Sequence, residues 1–321
     1  GLTLVSPLGA GLAEDVFATT VNDASMCINT THDECNAAAV YNYDSASDTY
    51  TLSDNIDFSA GKSIRITGGE NTVLDLNGKT VTGAIKVMGG TLTIKNGTIN
   101  DNATFALSIF NGSNVTIENV TAIVDSGKSY DRGAYVDDEG TMVKFGEGTI
   151  IRSDAYGLDV DNGARVTIDG ATIEAKSETN FTYGVVAWND VTVTLNSGKV
   201  ESSHGYGVTG NGTKDADAKN YGAKAKFNVN GGEITASETG IYLPTYDGET
   251  TITGGEITGG TTAVEIRAGS LKVSGGTLTS TSTTDPTESF ANGNGATTDG
   301  AALAIVEHNT DDDTSAEISG G

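Results

Sequence analysis

Three aspartates are the strongest candidates for chemistry in this sequence of 321 residues. Asp137, Asp159 and Asp161 fall at outward positions of predicted neighbouring strands, where their carboxylates would lie about 5–7 Å apart. Such a group could hydrolyse a glycosidic bond, with one carboxyl protonated as the acid and another ionised. It could instead bind Ca²⁺, which takes several oxygen ligands, or consist of solvated acids on an acidic surface. The sequence leaves these three interpretations open.

Aromatic and charged side chains share the predicted face with these aspartates. Aromatic rings stack on sugar rings, and carboxylates accept hydrogen bonds from sugar hydroxyl groups. The set includes Trp188, the single tryptophan of the chain. The candidate ligand-binding residues are Tyr135, Asp137, Asp159, Asp161, Trp188, Tyr242, Glu265 and Arg267.

A repeat of short strands must position these residues. Each unit begins with a small residue, and most starts are 22–27 residues apart; they are Ala84, Ala106, Gly133, Gly157, Gly184, Gly207, Gly240, Ala263 and Ala302. The first and third residues after most starts are apolar, so period-2 alternation predicts a strand with one buried face. The apolar residues that follow the starts are Ile85, Leu107, Ala134, Leu158, Val185, Val208, Ile241, Val264 and Leu303.

A second strand follows roughly 11 residues after the first in most units, and a Gly-rich turn follows it. No unit could bury its apolar face alone, whereas stacked units in register could. We therefore predict an all-β chain that forms a single right-handed parallel β-helix. Residues 51–321 would form the β-helix, residues 14–50 an N-terminal cap, and residues 1–13 a remnant of a signal peptide.

The segment from Leu74 to Val81 (LDLNGKTV), followed by Gly90 to Ile99 (GTLTIKNGTI), resembles pectate-lyase-like right-handed β-helix repeats of the kind seen in bacterial surface and adhesin-like proteins. The resemblance covers roughly residues 60–320 and implies the fold, since this scaffold serves lyases, glycoside hydrolases and binding proteins alike. The catalytic pattern of those enzymes is incomplete here. Arg132, Arg152 and Arg165 lie near the aspartates in sequence, but none falls in the outward columns.

Composition restricts the possible partners and the compartment. The net charge of −25 disfavours nucleic acid, anionic membranes and polyuronates. Cys27 and Cys35 are the only cysteines, and they predict a local disulfide typical of an exported protein; metal ligation together with His32 is the alternative. No stretch is apolar over the length that a membrane span requires.

Insertions at 125–131, 176–182, about 212–222 and 280–299 would wall the face that carries the candidate residues. We therefore predict a secreted, monomeric surface protein that binds a polysaccharide or a host-surface glycan or protein on this face. The alternatives are a secreted carbohydrate-active enzyme that uses Asp137, Asp159 and Asp161, and a spacer without a ligand. No cofactor is expected, apart from Ca²⁺ on those three aspartates.

Overall fold

The computed structural model describes residues 19–22, 24–59, 61–101, 104–212, 223–284, 287–292, 295–306 and 313–321. Across these ranges the chain is all β, with parallel strand pairing dominant and no helix. Accordingly, they include no helix with the length and apolarity needed to cross a lipid bilayer. The predicted signal-peptide remnant at 1–13 lies outside the described residues.

One sheet is built entirely of parallel strands that come from successive repeats; we call it the anchor sheet. Each inner strand pairs with the equivalent strands of the repeats before and after it, and each of the two end strands pairs with one neighbour. Its strands are β2 (Met26–Ile28), β6 (Ser63–Ile66), β9 (Ala84–Val87), β11 (Phe105–Ile109), β13 (Arg132–Val136), β16 (Tyr156–Val160), β18 (Thr182–Ala187), β20 (Gly205–Thr209), β23 (Thr239–Leu243), β26 (Thr262–Ile266) and β31 (Leu303–Ile305).

The larger sheet contains two further parallel ladders, which we call the second and third ladders, with the anchor sheet counted as the first. Four long strands run from the second ladder into the third. The shared strands are β10 (Thr91–Asp101), β12 (Asn114–Val124), β17 (Arg165–Ala175) and β19 (Thr192–Ser202). The second ladder adds β4 (Thr49–Leu52), β7 (Thr72–Asp75), β14 (Met142–Phe145), β21 (Lys226–Val229), β24 (Glu249–Ile252), β27 (Gly269–Ser274) and β32 (Thr314–Gly320). The third adds β1 (Thr19–Asn22), β5 (Asn55–Phe58), β8 (Thr80–Thr82), β15 (Ile150–Ser153), β22 (Glu233–Ala236), β25 (Glu256–Gly259) and β28 (Thr277–Ser280).

Two antiparallel pairings interrupt this pattern. Strand β3 (Tyr41–Asp44) forms a hairpin with β4, and β29 (Thr287–Asn292) pairs with β30 (Gly295–Asp299). All other pairings between described strands are parallel. The arrangement is therefore compatible with a solenoid of stacked repeats.

The strand pairing confirms the predicted repeat. Leu107 pairs with both Ile85 and Ala134, and the same column continues through Leu158, Val185, Val208, Ile241, Val264 and Leu303. Nearly all of these side chains are fully buried in one continuous apolar cluster. Since burying an aliphatic side chain of this size contributes about 1.5–3 kcal/mol, stacking in register is the main source of stability.

The segment predicted as a cap contains both regular and irregular structure. Parallel pairing begins at β1 and β2, which lie within residues 14–50. Cys27 and Cys35 form a disulfide with their Cα atoms 5.4 Å apart, so neither thiolate is available for a metal. The hairpin β3–β4 adds a stacked ring pair, Tyr43 and Tyr50, with centroids 4.4 Å apart.

A column of glycines lies where the chain enters the anchor sheet. A Cβ atom on Gly184 would lie 2.5 Å from the backbone oxygen of Gly207, and one on Gly157 would lie 2.6 Å from that of Gly184. These glycines have no positive φ angle, so they are required by the close approach of successive repeats and not by a left-handed conformation. At the levels that begin with glycine, the missing side chain is thus a spacing requirement.

We expect Gly184→Ala to lower the free energy of unfolding by about 1–3 kcal/mol, because the added methyl group forces two repeats apart. Chemical denaturation would measure the change. The reverse substitution Ala263→Gly at another level of the same column is the control, with an expected loss of about 0.5–1 kcal/mol. Unchanged stability of Gly184→Ala would contradict the spacing requirement.

Candidate functional site

The structure brings the predicted outward residues into one column along the anchor sheet. Strand pairing aligns Lys86, Ser108, Tyr135, Asp159, Val186, Thr209, Tyr242, Glu265 and Ala304 in this order. Asp137, Asp161 and Trp188 follow the ends of three successive strands, β13, β16 and β18. The aspartates and Trp188 therefore lie on neighbouring repeats of one face.

Four of the candidate ligand-binding residues are buried: Asp159, described below, and three residues further along the face. Tyr242, Glu265 and Arg267 have exposed fractions of 2%, 0% and 0%. Glu265 accepts a hydrogen bond from the backbone N–H of Thr298 in β30, at 3.0 Å, and its Oε1 lies 3.8 Å from Arg267 Nη1. These three residues are thus outside the open part of the face, and β30 contacts the sheet at Glu265.

The open part of the face contains a cleft of about 370 Å³. Strand β11 contributes Phe105, β13 contributes Arg132 and Tyr135, and β16 contributes Asp159. The remaining lining residues follow strand ends, so the walls come from four successive repeats. The lining residues are Phe105, Arg132, Tyr135, Asp159, Asp161, Trp188 and Asn189.

Asp159 is held in the wall of the cleft. Its Oδ2 accepts a hydrogen bond from Arg132 Nε at 2.5 Å, and its Oδ1 accepts one from Trp188 Nε1 at 2.6 Å. Only 2% of its surface is exposed. Burial raises the pKa of Asp159, whereas the Arg132 charge and the two hydrogen bonds favour the carboxylate. Because the partners of both oxygens are fixed, this carboxyl group serves to orient Arg132 and Trp188.

Arg132 is surrounded by aromatic rings. Its guanidinium carbon lies 4.9 Å from the ring centroid of Tyr156 and 5.7 Å from that of Phe105. Nη1 also donates to the backbone oxygen of Tyr130 at 2.7 Å. The acidic group therefore has a basic partner, although Arg132 falls outside the two predicted outward columns, as expected. Arg132 precedes the predicted outward columns, but its long side chain reaches Asp159 in the next repeat.

The other two aspartates are half-buried: Asp161 lines the cleft, and Asp137 lies beside it, next to the lining residue Tyr135. Asp137 accepts hydrogen bonds from the Tyr135 hydroxyl at 3.0 Å and from Asn162 Nδ2 at 2.8 Å. Asp161 accepts from the backbone N–H of Asn162 at 2.7 Å. Burial, and then the negative charge of Asp137, raises the pKa of Asp161. These two carboxylates give the rim of the cleft a negative charge, which Arg132 does not neutralise because it pairs with Asp159.

This geometry gives no support to the calcium interpretation. In the part of the chain that the structure describes, no three His, Cys, Asp or Glu side chains are grouped so that they could hold a metal ion. Asp137, Asp159 and Asp161 each have hydrogen-bond donors as partners instead. A paired acid and base for hydrolysis is equally unsupported, since Asp159 is enclosed by Arg132 and Trp188.

Trp188 is the best surface for a ligand in this cleft. It is half-buried, and Asp159 fixes its indole through the Nε1–H bond. Other rings on the anchor sheet stack on one another; the centroids of Phe105 and Tyr135, for example, are 5.4 Å apart. Among the described residues, no such ring contact involves Trp188. An indole held in place without a ring partner is suited to stack on a sugar.

A further outward column was missed by the sequence analysis. It consists of Phe105, Arg132, Tyr156, Tyr183 and Tyr206, which pair in this order at the beginnings of their strands. Strict alternation would turn these residues inward, since each stands two positions before an interior residue. In the register between neighbouring strands, the small residue that follows each of them has no paired partner. The alternation of inward and outward side chains is therefore broken at that residue. The recurring Tyr-Gly pair at 156–157, 183–184 and 206–207 is the sequence signal that could have revealed this column.

A larger cavity of about 480 Å³ lies elsewhere, at the edge of the second ladder. It is lined by charged, small and polar residues without an aromatic ring, including Lys226 and Glu249, whose side-chain charges are 3.4 Å apart. It lacks the combination of an aromatic surface and hydrogen-bonding groups found beside Trp188. We therefore regard the cleft as the candidate site.

Two buried carboxyl groups hold the insertion at 125–131 beside the cleft. Asp131 is fully buried and accepts hydrogen bonds from Ser126 Oγ at 2.6 and 2.7 Å. Asp154 accepts one from the backbone N–H of Gly127 at 2.5 Å. Burial, and then the hydrogen bond with Asp131, raises the pKa of Asp154 to about 6. The two groups are thus stable together when Asp154 carries a proton.

We expect the free energy of unfolding to fall as pH rises from about 4 to about 6, because the folded chain retains the Asp154 proton that the unfolded chain has already lost. The loss should be on the order of 2–3 kcal/mol. Denaturation across this pH range would measure it. Asp154→Asn should remove this part of the pH dependence, whereas the exposed control Asp125→Asn should retain it. An unchanged pH profile in Asp154→Asn would refute the assignment.

We expect Arg132→Met to lower the free energy of unfolding at pH 7 by about 3–5 kcal/mol, because it leaves the Asp159 carboxylate buried without a cation. The loss should shrink at lower pH, since Asp159 can then take up a proton. Arg165→Met is the matched control: Arg165 is exposed, so its loss should cost less than about 0.5 kcal/mol. Equal losses in the two variants would contradict this role for the ion pair.

Comparisons with known proteins return nothing that identifies this site: no protein-family model, curated protein or solved structure matches the chain. The resemblance to pectate-lyase-like repeats therefore stays a prediction, and the function must be argued from the geometry.

Proposed function

We propose that the chain is a single right-handed parallel β-helix that acts as an extracellular, adhesin-like binding protein, with the cleft beside Trp188 as its glycan site. The in-register parallel pairing of successive repeats supports the β-helix, and right-handed winding follows from the general preference of parallel crossovers. The disulfide Cys27–Cys35 supports export, because such bonds persist in oxidising compartments. The ligand is a polysaccharide or a glycan of a host surface.

The observation that carries this proposal is the fixed indole of Trp188 at a cleft with polar groups on its rim. Glycan sites combine an aromatic surface, which covers the apolar face of a sugar, with groups that hydrogen-bond to its hydroxyls. Asp161 and Asn189, which line the same cleft, supply an acceptor and an amide. The rim carboxylates disfavour acidic sugars, so the site is best suited to neutral ones.

Binding accounts for this geometry better than catalysis does. A glycoside hydrolase needs one carboxyl group that gives up a proton and a second that is free to act on the sugar or on water. Asp159 has both oxygens bonded to Arg132 and Trp188, and Asp137 receives donors on both of its oxygens. A secreted carbohydrate-active enzyme remains the second candidate, and a turnover assay separates the two.

We expect Trp188→Phe to weaken glycan binding by about 10-fold or more, because the smaller ring covers less of a sugar and lacks the bond to Asp159. Affinity for a panel of neutral and acidic polysaccharides would be measured by calorimetry. The exposed Tyr246 lies outside the cleft, so Tyr246→Ala should bind as the parent does. Denaturation of both variants would verify that they fold.

The same panel should be assayed for new reducing ends and unsaturated products, with and without Ca²⁺. Turnover that disappears in Asp159→Asn with Asp161→Asn would replace the binding proposal with the enzyme. Absence of both turnover and binding would leave the spacer. Equal binding by Trp188→Phe and the parent would place the glycan site elsewhere.

A further inference from the structure

Asp131 and Asp154 lie next to each other under the insertion at 125–131, and we call them the carboxyl pair. Asp131 directly precedes β13 and Asp154 lies just before β16, so the two come from neighbouring repeats. Their exposed fractions are 0% and 6%. Two carboxylates in such a setting disfavour a second negative charge, because burial and mutual repulsion both oppose it.

The carboxyl pair binds one turn of the insertion. Asp131 Oδ2 accepts hydrogen bonds from the backbone N–H groups of Ser126 at 3.0 Å and Lys128 at 3.2 Å. Asp154 Oδ2 accepts one from the backbone N–H of Gly127 at 2.5 Å. Three successive backbone N–H groups are therefore held by these two side chains.

The second oxygen of Asp154 indicates where a proton belongs. Asp154 Oδ1 is buried, and no hydrogen-bond donor among the described residues reaches it. The Asp131 side chain becomes its hydrogen-bond partner once one of the two groups is protonated. Because a buried oxygen without a donor is costly, a proton shared within the carboxyl pair satisfies this atom.

The charged side chains of the surrounding described segments have other partners or face solvent. Lys128 Nζ lies 5.8 Å from the ring centroid of Tyr130. Lys176 and Arg152 both pair with Glu174, at 2.9 and 2.5 Å. The acidic residues of the two nearby insertions, Asp125 and Glu178, are exposed. A proton is therefore the positive charge that the carboxyl pair takes up.

The insertion is connected to the wall of the cleft through Arg132. Arg132 Nη1 donates to the backbone oxygen of Tyr130 at 2.7 Å, and its Nε donates to Asp159 at 2.5 Å. Asp159 in turn accepts the hydrogen bond from Trp188 Nε1. Three consecutive hydrogen bonds thus join the insertion to the indole that lines the cleft.

We propose that the carboxyl pair is a pH-sensitive switch, which holds residues 126–128 closed beside the cleft while the two groups share a proton and releases them when that proton is lost. Release of this turn frees the Tyr130 carbonyl from its position against Arg132, so the setting of Trp188 changes. Control of glycan binding by this switch rests on the proposed function, whereas the opening itself requires no glycan.

Hydrogen exchange of the backbone amides at 126–128 tests the opening directly. Burial, and then the hydrogen bond with Asp131, raises the pKa of Asp154 to about 6 in the closed state. Protection, corrected for the intrinsic exchange rate, should therefore fall by about 10-fold between pH 5 and pH 7, since the closed state keeps a proton that the open state has lost.

Two variants control this measurement. Asp154→Asn should be equally protected at both pH values, because an amide bonds to Gly127 and Asp131 as the protonated acid does but does not titrate. Asp125→Asn changes an exposed carboxylate of the same insertion and should behave as the parent does.

Trp188, the single tryptophan, reports whether the switch reaches the cleft. Its fluorescence should change between pH 5 and pH 7 in the parent and in Asp125→Asn, but not in Asp154→Asn. Burial also raises the pKa of Asp161, which lines the same cleft. The change should therefore persist in Asp161→Asn, which removes that second titration.

Three results would overturn the proposal. Exchange with the same pH dependence in Asp154→Asn and the parent would exclude the carboxyl pair as its source. Exchange at 126–128 as slow as that of the buried strand β12 would mean that the insertion opens only when the whole fold does. Fluorescence that titrates equally in Asp154→Asn would mean that the switch does not act on the cleft. Because none of these measurements uses a glycan, failure of the proposed function is detected separately, through Trp188→Phe.

Discussion

Stacking in register is the constraint on which the rest of this structure depends. Each strand satisfies its backbone hydrogen bonds with the repeats on either side, and each inward side chain is covered by the equivalent residues of those repeats. The column through Ile85, Leu107 and Leu158 shows this at every level. Because no repeat is stable alone, a substitution that alters the spacing at one level affects its neighbours. The glycine column at the entrance to the anchor sheet follows from the same constraint.

The candidate site is a consequence of this stacking. Successive repeats place Tyr135, Asp159 and Val186 in one row at the strand spacing of about 4.8 Å, and long side chains can therefore reach across levels. Arg132 bonds to Asp159 of the next repeat, and Trp188 bonds to the same carboxylate from the repeat beyond. One buried carboxylate thus orients a cation and an indole that come from different repeats. This explains how an acidic face can display a fixed aromatic surface instead of a free carboxylate pair.

The sequence alone determined the repeat, its interior columns and the order of residues along the anchor sheet, because period-2 alternation and small start residues depend on local geometry. It placed Tyr135, Asp159 and Glu265 in one column, and the strand pairing aligns them. Only the tertiary structure decided which of these residues are accessible. Glu265 and Arg267 are buried, and β30, a segment distant in sequence, contributes the backbone N–H of Thr298 to Glu265. The break in alternation at Gly133, Gly157 and Gly184 likewise depends on contacts between repeats, so the ring-lined setting of Arg132 could not be read from local pattern.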